Sequence, residues 1–487
     1  MKKLILIVDF GTSSVRAMVI NSMHGETVAS WAVPYTIESK QEGWCEISPS
    51  LLWNDAQLCV ENVLHMIGPS EKNIEVLSFS FFGTNVIPVD IEGKPLCNCI
   101  LCYDQRGTEE AESINLALGD RKIREILGDL CDSSYMCSKL YWLQHNNQKL
   151  FSHSDKFYTI QQYILRNLEL PAVADQTMAS ATGMYDIRTK TWPGEILKVI
   201  GVNNAQLPEI VGSDTVLGTI EHFGRVRFSG SIKVTPGAHD MDCGLIGLSL
   251  DKNGKPSAAE VTGTFDHVGM IVNSDIIANF DNHGESVWAS VGPVQNTSSM
   301  VSMFSTSGSL LNWFMKEIAG GTTQQDYADL WQKVSFQGDG IVEVDPRFLS
   351  GQGAILNLSI TSKRSDIFRA IIETLTFETR RCLELCERYS PDTISQVVIG
   401  GGAANARQWI QLKADVTGKR FVKPAIIESS ALGAAILASV ASGIYGTIRD
   451  AEKAMIQIEE EYVPSTEIFA IYDKKYQHYI NQYYTDK

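Results

Sequence analysis

The same succession of elements occurs twice in the sequence: a strand, a turn with a glycine and a hydroxyl residue, and another strand. This repeat limits the folds that the chain can adopt. The first copy occupies residues 4–31 and the second residues 258–290, with Gly263-Thr264 in the place of Gly11-Thr12. An internal repeat of this kind predicts two similar domains that face each other. The predicted β-prone segments are Leu4–Val8, Val15–Ile20 and Thr27–Trp31 in the first copy, and Ala258–Thr264 with its turn, Val268–Val272 and Ser286–Ser290 in the second.

The length of 487 residues also favours two large domains. The turn-rich segment Lys252–Pro256 is the predicted linker, so we expect an N-terminal domain over residues 1–248 and a C-terminal domain over residues 249–487. A formal net charge of −16 argues against a surface for nucleic acid or anionic membranes. No apolar run approaches the ~20 residues that span a bilayer. Because Asp9 interrupts the apolar start too early for a secretory signal, we expect a cytoplasmic protein.

Polar residues directly follow the first predicted strand. Asp9 ends the strand, and Thr12, Ser13 and Ser14 come after a glycine that lets the backbone approach a ligand closely. The turn is not a Walker loop, because no Gly-Lys-Ser/Thr is present. An acid here can hold a magnesium ion through water, and the hydroxyls can donate to phosphate. A plain polar hairpin turn is the alternative.

The segment Pro236–Gly247 carries the strongest candidate for catalysis. Asp240 follows the predicted strand Ile232–Thr235 and precedes a small, apolar, helix-like run. A carboxylate at a strand-to-helix turn lies near free backbone N–H groups and can face a ligand. Two alternatives stay open: Asp240 as an ordinary helix N-cap, and Asp242 as the reactive acid.

Two further polar elements end predicted strands. Asp104 and Arg106 could bind the hydroxyls of a polar substrate or form a structural ion pair. The triplet Gly400–Gly402 lies between the predicted strand Ile394–Ile399 and the predicted helix Arg407–Val416. Such a turn offers a surface to a nucleotide, although a tight strand-to-helix turn is the alternative.

Five motifs occur in one order: Asp9-Phe-Gly-Thr-Ser-Ser14, Gly237-Ala-His-Asp240, Gly263-Thr264, Gly400-Gly-Gly-Ala-Ala-Asn405 with Trp409 and Ala414-Asp415, and Glu428 with Leu432-Gly-Ala-Ala435. Together they resemble the FGGY carbohydrate kinases, the family of glycerol kinase, xylulokinase and gluconokinase. The resemblance extends from about residue 4 to residue 445, and the C-terminal glycine block is its most specific part.

The resemblance implies an α/β protein with two ribonuclease-H-like domains of the actin-like ATPase type, which flank a nucleotide cleft. It also implies ATP and Mg²⁺, with Asp240 as the catalytic base and Asp9 as the metal-organising carboxylate. The Gly-x-His-Asp pattern favours Asp240 over Asp242. General-base help suits this role because a sugar hydroxyl is a poor nucleophile at neutral pH. The implied phosphate and nucleotide contacts are Thr12, Ser13, Ser14, Gly263, Thr264, Gly308, Asn312, Gly401, Ala403 and Asn405.

The sequence departs from xylulokinases near the expected sugar pocket. Phe82-Gly-Thr84 stands where they usually carry Gln-Met-His, Cys102 or Tyr103 replaces a usual Trp, and Gly351-Gln-Gly353 replaces Gly-Glu-Arg. These changes leave the kinase chemistry intact but argue against D-xylulose, and they predict a more apolar and roomier pocket wall. The expected substrate contacts are Thr84, Asp104, Arg106 and Asp240.

Two functions fit these motifs. The favoured one is an ATP-dependent kinase for a small sugar or polyol, such as a xylulose-like ketose. The alternative is an ATPase of the actin-like superfamily that acts on a protein partner. Asp240 and the pair Asp104 and Arg106 favour the kinase. We expect a small-molecule substrate, no nucleic-acid partner and no membrane partner. The sugar, the phosphorylated hydroxyl and the oligomeric state stay open, with a homodimer as a candidate.

Overall fold

The computed structural model describes residues 3–248, 257–262, 266–304, 307–337, 340–350, 353–390, 393–425 and 428–484. The chain divides into two compact units. Unit 1 consists of Met1–Leu250, Ile271–Met300 and Glu428–Gln457, and unit 2 of Asp251–Met270, Val301–Ile427 and Ile458–Lys487. The first boundary lies next to the predicted one at residue 248. Two later segments of the predicted C-terminal domain belong to unit 1.

Residues 3–248 form a mixed α/β arrangement. The strands are β1 (Leu4–Phe10), β2 (Ser14–Asn21), β3 (Thr27–Pro34), β4 (Glu46–Ile47), β5 (Ile74–Phe81), β6 (Ile87–Val89), β7 (Cys99–Ile100), β8 (Lys156–Tyr158), β9 (Ala174–Asp175), β10 (Ile210–Val211), β11 (Gly218–Phe223), β12 (Val226–Val234) and β13 (Ala238–His239). The helices are α1 (Pro49–Ile67), α2 (Thr108–Leu118), α3 (Asp120–Leu127), α4 (Met136–Asn146), α5 (Gln148–His153), α6 (Ile160–Asn167), α7 (Gln176–Ser180), α8 (Gly194–Val199) and α9 (Asp240–Gly247).

The main sheet of unit 1 has the strand order β11-β12-β5-β1-β2-β3, with β13 also paired to β5. Strand β1 pairs in parallel with β5 and antiparallel with β2. The apolar run Leu4–Val8 is buried along its whole length, as expected for a strand that is covered on both faces. This sheet places the end of β1, and therefore Asp9, beside the end of β5.

The later part of the chain is also mixed α/β. Its strands are β14 (Ser257–Thr262), β15 (Asp266–Asn273), β16 (Val287–Val291), β17 (Thr297–Phe304), β18 (Glu343–Val344), β19 (Ile355–Leu356), β20 (Gln396–Gly401), β21 (Arg420–Pro424) and β22 (Ile458–Tyr462). Its helices are α10 (Ser307–Trp313), α11 (Gln324–Trp331), α12 (Arg364–Glu387), α13 (Arg407–Thr417), α14 (Ser429–Ala441), α15 (Ile448–Met455) and α16 (Thr466–Tyr483). None of the helices in the described residues is long and apolar enough to cross a membrane.

The second large sheet repeats the plan of the first. Its order is β16-β17-β15-β14-β20-β21-β22. Strand β14 pairs antiparallel with β15 and in parallel with β20, as β1 does with β2 and β5. The predicted third strand of the repeat is confirmed as β16, but β17 rather than β16 lies beside β15. The greater length and near-complete burial of β17 suit this interior place, whereas the shorter β16 alternates between buried and half-buried residues and forms the edge.

Helix α14 packs closely against α9 within unit 1. A Cβ atom at Gly433 would lie 1.7 Å from the carbonyl oxygen of Cys243, and one at Gly247 would lie 2.1 Å from that of Ser429. The small residues therefore let the two helix backbones approach each other. This contact explains why Glu428–Gln457 belongs to unit 1, and it supports the helix that begins at Asp240.

Candidate active site

A tight turn brings Asp240 to the end of a buried strand. Strand β13 pairs in parallel with the end of β5, and α9 begins at Asp240. Gly237 permits the turn, because its φ is 75° and a Cβ atom there would lie 2.5 Å from the carbonyl oxygen of Phe79. The N-cap of α9 is His239, so the alternative of Asp240 as an N-cap is wrong. The side chain of Asp240 is 31% exposed and can face a ligand.

His239 links the two acids of this segment. Its Nε2 lies 3.3 Å from Oδ1 of Asp240, and its Nδ1 lies 3.1 Å from Oδ2 of Asp242. The hydroxyl of Ser299 donates to the other oxygen of Asp242, which is buried. Asp242 is therefore enclosed with a partner on each oxygen, whereas Asp240 is the accessible acid of the pair.

The charges of this segment shift one another's pKa values. Burial raises the pKa of Asp240 above its ordinary value, and the neighbouring His239 offsets part of that rise. Burial alone would lower the pKa of His239, but its hydrogen bond to Asp242 and the charge of Asp240 outweigh burial and raise it. A carboxylate with a raised pKa is a stronger proton acceptor than an ordinary aspartate.

Asp9 forms the other acidic feature of the site. Burial raises its pKa to about 7, Ser80 opposes the rise, and the charges of Asp240 and Glu428 add to it. Glu428 itself forms an ion pair with Arg16. Acids that crowd together in this way fit a divalent cation. Within the described ranges, no group of three or more His, Cys, Asp or Glu side chains could hold a metal alone. Water or substrate phosphates would thus have to complete its coordination, as magnesium prefers.

The turn after β1 presents the predicted hydroxyl residues. Thr12 and Ser13 are exposed, and Ser14 is half-buried at the start of β2. The hydroxyl of Tyr35 donates to the carbonyl oxygen of Gly11, which ties the turn to the chain after β3. The corresponding residues of the second copy, Gly263 and Thr264, lie outside the described residues.

Thr84 lies in a strained loop next to the segment that carries His239 and Asp240. Its φ is 53°, which is uncommon for a residue other than glycine, and its carbonyl oxygen accepts a hydrogen bond from Nζ of the buried Lys139 at 3.4 Å. A Cβ atom at the preceding Gly83 would lie 2.5 Å from Nε2 of His239. The imidazole of His239 therefore fills the space that a side chain at residue 83 would occupy.

Asp104 and Arg106 form a buried network with Glu46. Both oxygens of Asp104 accept hydrogen bonds, from the backbone N–H groups of Cys45 and Arg106 and from the Arg106 guanidinium at 2.7 Å. Arg106 also donates to Glu46 at 2.7 Å and lies 3.8 Å above the ring of Trp44. These contacts support the structural ion pair, one of the two alternatives that the sequence left open.

A cavity of about 260 Å³ in unit 2 collects part of the predicted nucleotide site. Gly308 and Asn312 line it from α10, together with Gly402. Gly401 ends β20, and Ala403 and Asn405 belong to the 3₁₀ turn that follows. The structure thus brings the glycine block and α10 to one cavity.

Aromatic residues complete this cavity, and the sequence reasoning missed most of them. Trp331 and Trp409 lie on its wall with ring centroids 6.5 Å apart, and Phe368 packs edge-on against Trp331 at 5.0 Å. Tyr327 also lines it, and its hydroxyl donates to Oδ1 of Asn312 at 3.1 Å. The available signal was the i, i+4 spacing of Tyr327 and Trp331, which places both on one face of a helix.

Two family models match the chain over most of its length. The N-terminal domain model of the FGGY family of carbohydrate kinases matches residues 4–247, and the C-terminal domain model of the same family matches residues 261–442.

Relatives and a solved structure agree with the family match. The chain is 26% identical to a glycerol kinase of Shewanella frigidimarina (strain NCIMB 400) over 485 residues, which cover 96% of this chain and 95% of the relative. It is 23% identical to a xylulose kinase of Staphylococcus xylosus over 490 residues, or 98% of each chain. The crystal structure of a xylulose kinase from Rhodospirillum rubrum matches its fold with a TM-score of 0.89 at 20% identity, over 99% of both chains. The predicted α/β fold class of two ribonuclease-H-like domains is thereby confirmed.

Proposed function

The chain belongs to the FGGY family of carbohydrate kinases, which are phosphotransferases. We propose that it transfers the γ-phosphoryl group of ATP to a hydroxyl of a small sugar or polyol, and that Asp240 is the general base. The partly exposed carboxylate of Asp240, next to the imidazole of His239, is the observation that carries this proposal. The family assignment favours a kinase over an actin-like ATPase that acts on a protein.

The proposed step begins with the substrate hydroxyl. Its proton passes to the carboxylate of Asp240 as its oxygen bonds to the γ-phosphorus, and the bond from that phosphorus to the leaving ADP breaks. His239 orients Asp240 and stabilises its charge before transfer. Asp242 acts through His239, because its own oxygens are occupied by His239 and Ser299.

ATP is assigned to the aromatic cavity of unit 2. The rings of Trp331 and Trp409 suit the flat apolar face of a nucleobase, and Asn312 offers amide hydrogen-bonding groups. Gly308 and the glycine block permit close backbone approach to the sugar and phosphates. The remaining proposed contacts are Thr12, Ser13, Ser14, Gly263, Thr264, Gly401, Ala403 and Asn405.

Asp9 is the proposed magnesium residue. Its pKa of about 7 reflects burial and the nearby charges of Asp240 and Glu428, and a bound cation would relieve that repulsion. When bound, magnesium supplies charge neutralisation for the phosphates of the nucleotide.

The substrate class follows from the relatives, which include a glycerol kinase and a xylulose kinase. Thr84 is the proposed contact for the substrate, next to Asp240. We propose that D-xylulose is a poor substrate, because Phe82-Gly-Thr84 lacks the polar run of xylulokinases and an unpaired substrate hydroxyl typically costs ~1–3 kcal/mol. A different ketose, a deoxy sugar or a polyol should react faster.

Arg106→Ala distinguishes the two roles of the Asp104 and Arg106 pair. If the pair binds substrate hydroxyls, KM for the sugar should rise while KM for ATP stays unchanged. If the pair is only structural, the melting temperature should fall, because Asp104 is left buried without its cation, and both KM values should stay unchanged. Thermal unfolding and steady-state kinetics on the same variant separate these outcomes.

A coupled assay of ADP release across a panel of ketoses, deoxy sugars, polyols and gluconate tests the proposed function. We expect ATP turnover that depends on one class of acceptor, with a phosphate monoester as product. ATP turnover that no acceptor stimulates would contradict the kinase proposal. A kcat/KM for D-xylulose above that of every other acceptor would contradict the substrate proposal alone.

A further inference from the structure

A cavity in unit 2, distinct from the aromatic one, is lined by the buried Arg369, whose Nε has no partner among the described residues. Arg369 is 8% exposed, and its Nε forms no hydrogen bond in the part of the chain that the structure describes. Other enclosed arginines are paired with carboxylates: Arg106 with Glu46 and Asp104, and Arg381 with Glu378. Because a buried polar group without a partner is costly, the guanidinium of Arg369 is suited to bind an anionic ligand.

The backbone is shaped to admit the Arg369 guanidinium. A Cβ atom at Gly340 would lie 1.2 Å from Nη1 of Arg369, so the guanidinium occupies the space of a side chain at that residue. Both residues line a cavity of about 350 Å³. This volume falls within the range of roughly 300–1,000 Å³ that is usual for small-molecule sites.

The rest of the cavity wall suits an oxyanion. Lys333 supplies a second cation from the chain after α11, and Ser335, Ser362 and Ser365 supply hydroxyls. Among the described lining residues the acidic one is Asp366, and its Oδ2 accepts the backbone N–H of Lys363 at 2.8 Å. The first turn of α12 also borders the cavity, and the positive end of its dipole favours an anion.

This cavity is separate from the aromatic one that we assign to ATP. The two share no lining residue, although Phe368 lines the aromatic cavity and the next residue along α12, Arg369, lines the second. We propose that the cavity of Arg369 and Lys333 is an anion site that binds the phosphate group of a phosphate monoester. Arg369 and Lys333 are its cationic contacts, and the cavity has room for the organic part of the ester.

Equilibrium dialysis of labelled inorganic phosphate against the full chain, in a buffer without phosphate or sulfate, tests this site. Lys333→Gln and Arg369→Gln should each weaken binding about tenfold or more, because each removes a charge-assisted hydrogen bond. Lys363→Gln is the matched control: it removes one positive charge from an exposed residue near the start of α12 that does not line the cavity. Its phosphate binding should equal that of the unaltered chain.

Displacement of the labelled phosphate tests whether the site prefers a phosphate monoester or free phosphate. O-Phosphoserine, a monoester unlike a sugar, should displace the label at lower concentration than unlabelled phosphate does. Equal displacement by both would overturn the assignment of a monoester. The site itself is overturned if the unaltered chain shows no saturable binding in the millimolar range, or if Lys333→Gln binds as tightly as Lys363→Gln. Lys333 is exposed, so its variant keeps the test valid even if Arg369→Gln does not fold.

Discussion

Asp240 and Asp242 are two residues apart but have different surroundings. Asp240 is partly exposed, whereas Asp242 is buried against His239 and Ser299. We therefore expect Asp240→Asn to lower kcat by ~10²–10⁴-fold, the usual loss when a general base is removed. Binding of a non-hydrolysable ATP analogue and the melting temperature should change little. Steady-state kinetics, titration calorimetry and thermal unfolding measure the three quantities.

Asp242→Asn is the companion variant. It should cost less activity than Asp240→Asn, because the asparagine can still hold His239 through its amide oxygen. Near-normal kcat in Asp240→Asn together with a large loss in Asp242→Asn would mean that Asp242, and not Asp240, is the general base.

His239 sets the pH range in which Asp240 can accept a proton. Burial raises the pKa of Asp240, and His239 lowers it again. Since the base must be ionised, kcat/KM should fall as the pH drops through this raised pKa, above the usual range of an aspartate. His239→Gln removes the offsetting charge, so the acidic limb should move to higher pH. An acidic limb at the same or lower pH in the variant's kcat/KM profile would refute this role.

The sequence indicated some candidate site residues but not their partners. Asp9 and Asp240 were identifiable as candidates, because Asp9 ends a predicted strand and Asp240 follows the short predicted strand Ile232–Thr235. The ion pairing of Asp104 was not predictable, because it depends on burial and on Arg106. The second partner of Arg106 is Glu46, 60 residues away in the sequence. Partner identity over such separations is a tertiary property that local spacing does not contain.

At the scale of elements, the close crossing of α9 and α14 supports the helix that begins at Asp240. A Cβ atom at Gly433 would meet the backbone of Cys243 at 1.7 Å, and a backbone carbonyl cannot move aside cheaply. Gly433→Ala should therefore lower the free energy of unfolding by ~1–3 kcal/mol, as overpacking usually does. It should also lower kcat, because α9 begins at Asp240.

Gly446→Ala is the matched control for this crossing. A Cβ atom at Gly446 would meet nothing within 4 Å, so the substitution should change stability by about 0.5 kcal/mol or less. Thermal or denaturant unfolding of the two variants decides the matter. Equal melting temperatures would show that the close approach of α9 and α14 does not limit stability.

At the scale of elements, hydrophobic periodicity predicted where strands occur better than it predicted which strands pair. Segments β1, β2 and β3 matched their predicted positions within a few residues, because each is a short apolar run bounded by turns. The order of β16 and β17 was missed, since two β-prone segments in succession do not reveal which one lies inside the sheet. The aromatic wall around Trp331 was missed for a similar reason, because it joins residues from three separate helices.

At the scale of the whole molecule, the sequence predicted only some of the boundaries between the two units. The first boundary fell near residue 248, but Ile271–Met300 and Glu428–Gln457 belong to unit 1. The composition of the sequence does not change at the residues where the chain passes back into an earlier unit. The homodimer and the cytoplasmic location stay predictions.

Phosphoryl transfer sets a requirement on the whole molecule. Asp240 belongs to unit 1 and the aromatic cavity to unit 2. Phosphoryl transfer requires the reacting atoms to come within about 3–3.5 Å of each other and to be shielded from water. We therefore expect the chain to become more compact when an acceptor sugar and a non-hydrolysable ATP analogue bind together, as hinge closure does in many kinases. Small-angle scattering should show a smaller radius of gyration with both ligands than with either alone. Asp240→Asn should compact in the same way, since it removes a proton acceptor rather than a ligand-binding surface. A scattering profile that does not change, with both ligands shown to be bound by calorimetry, would count against closure.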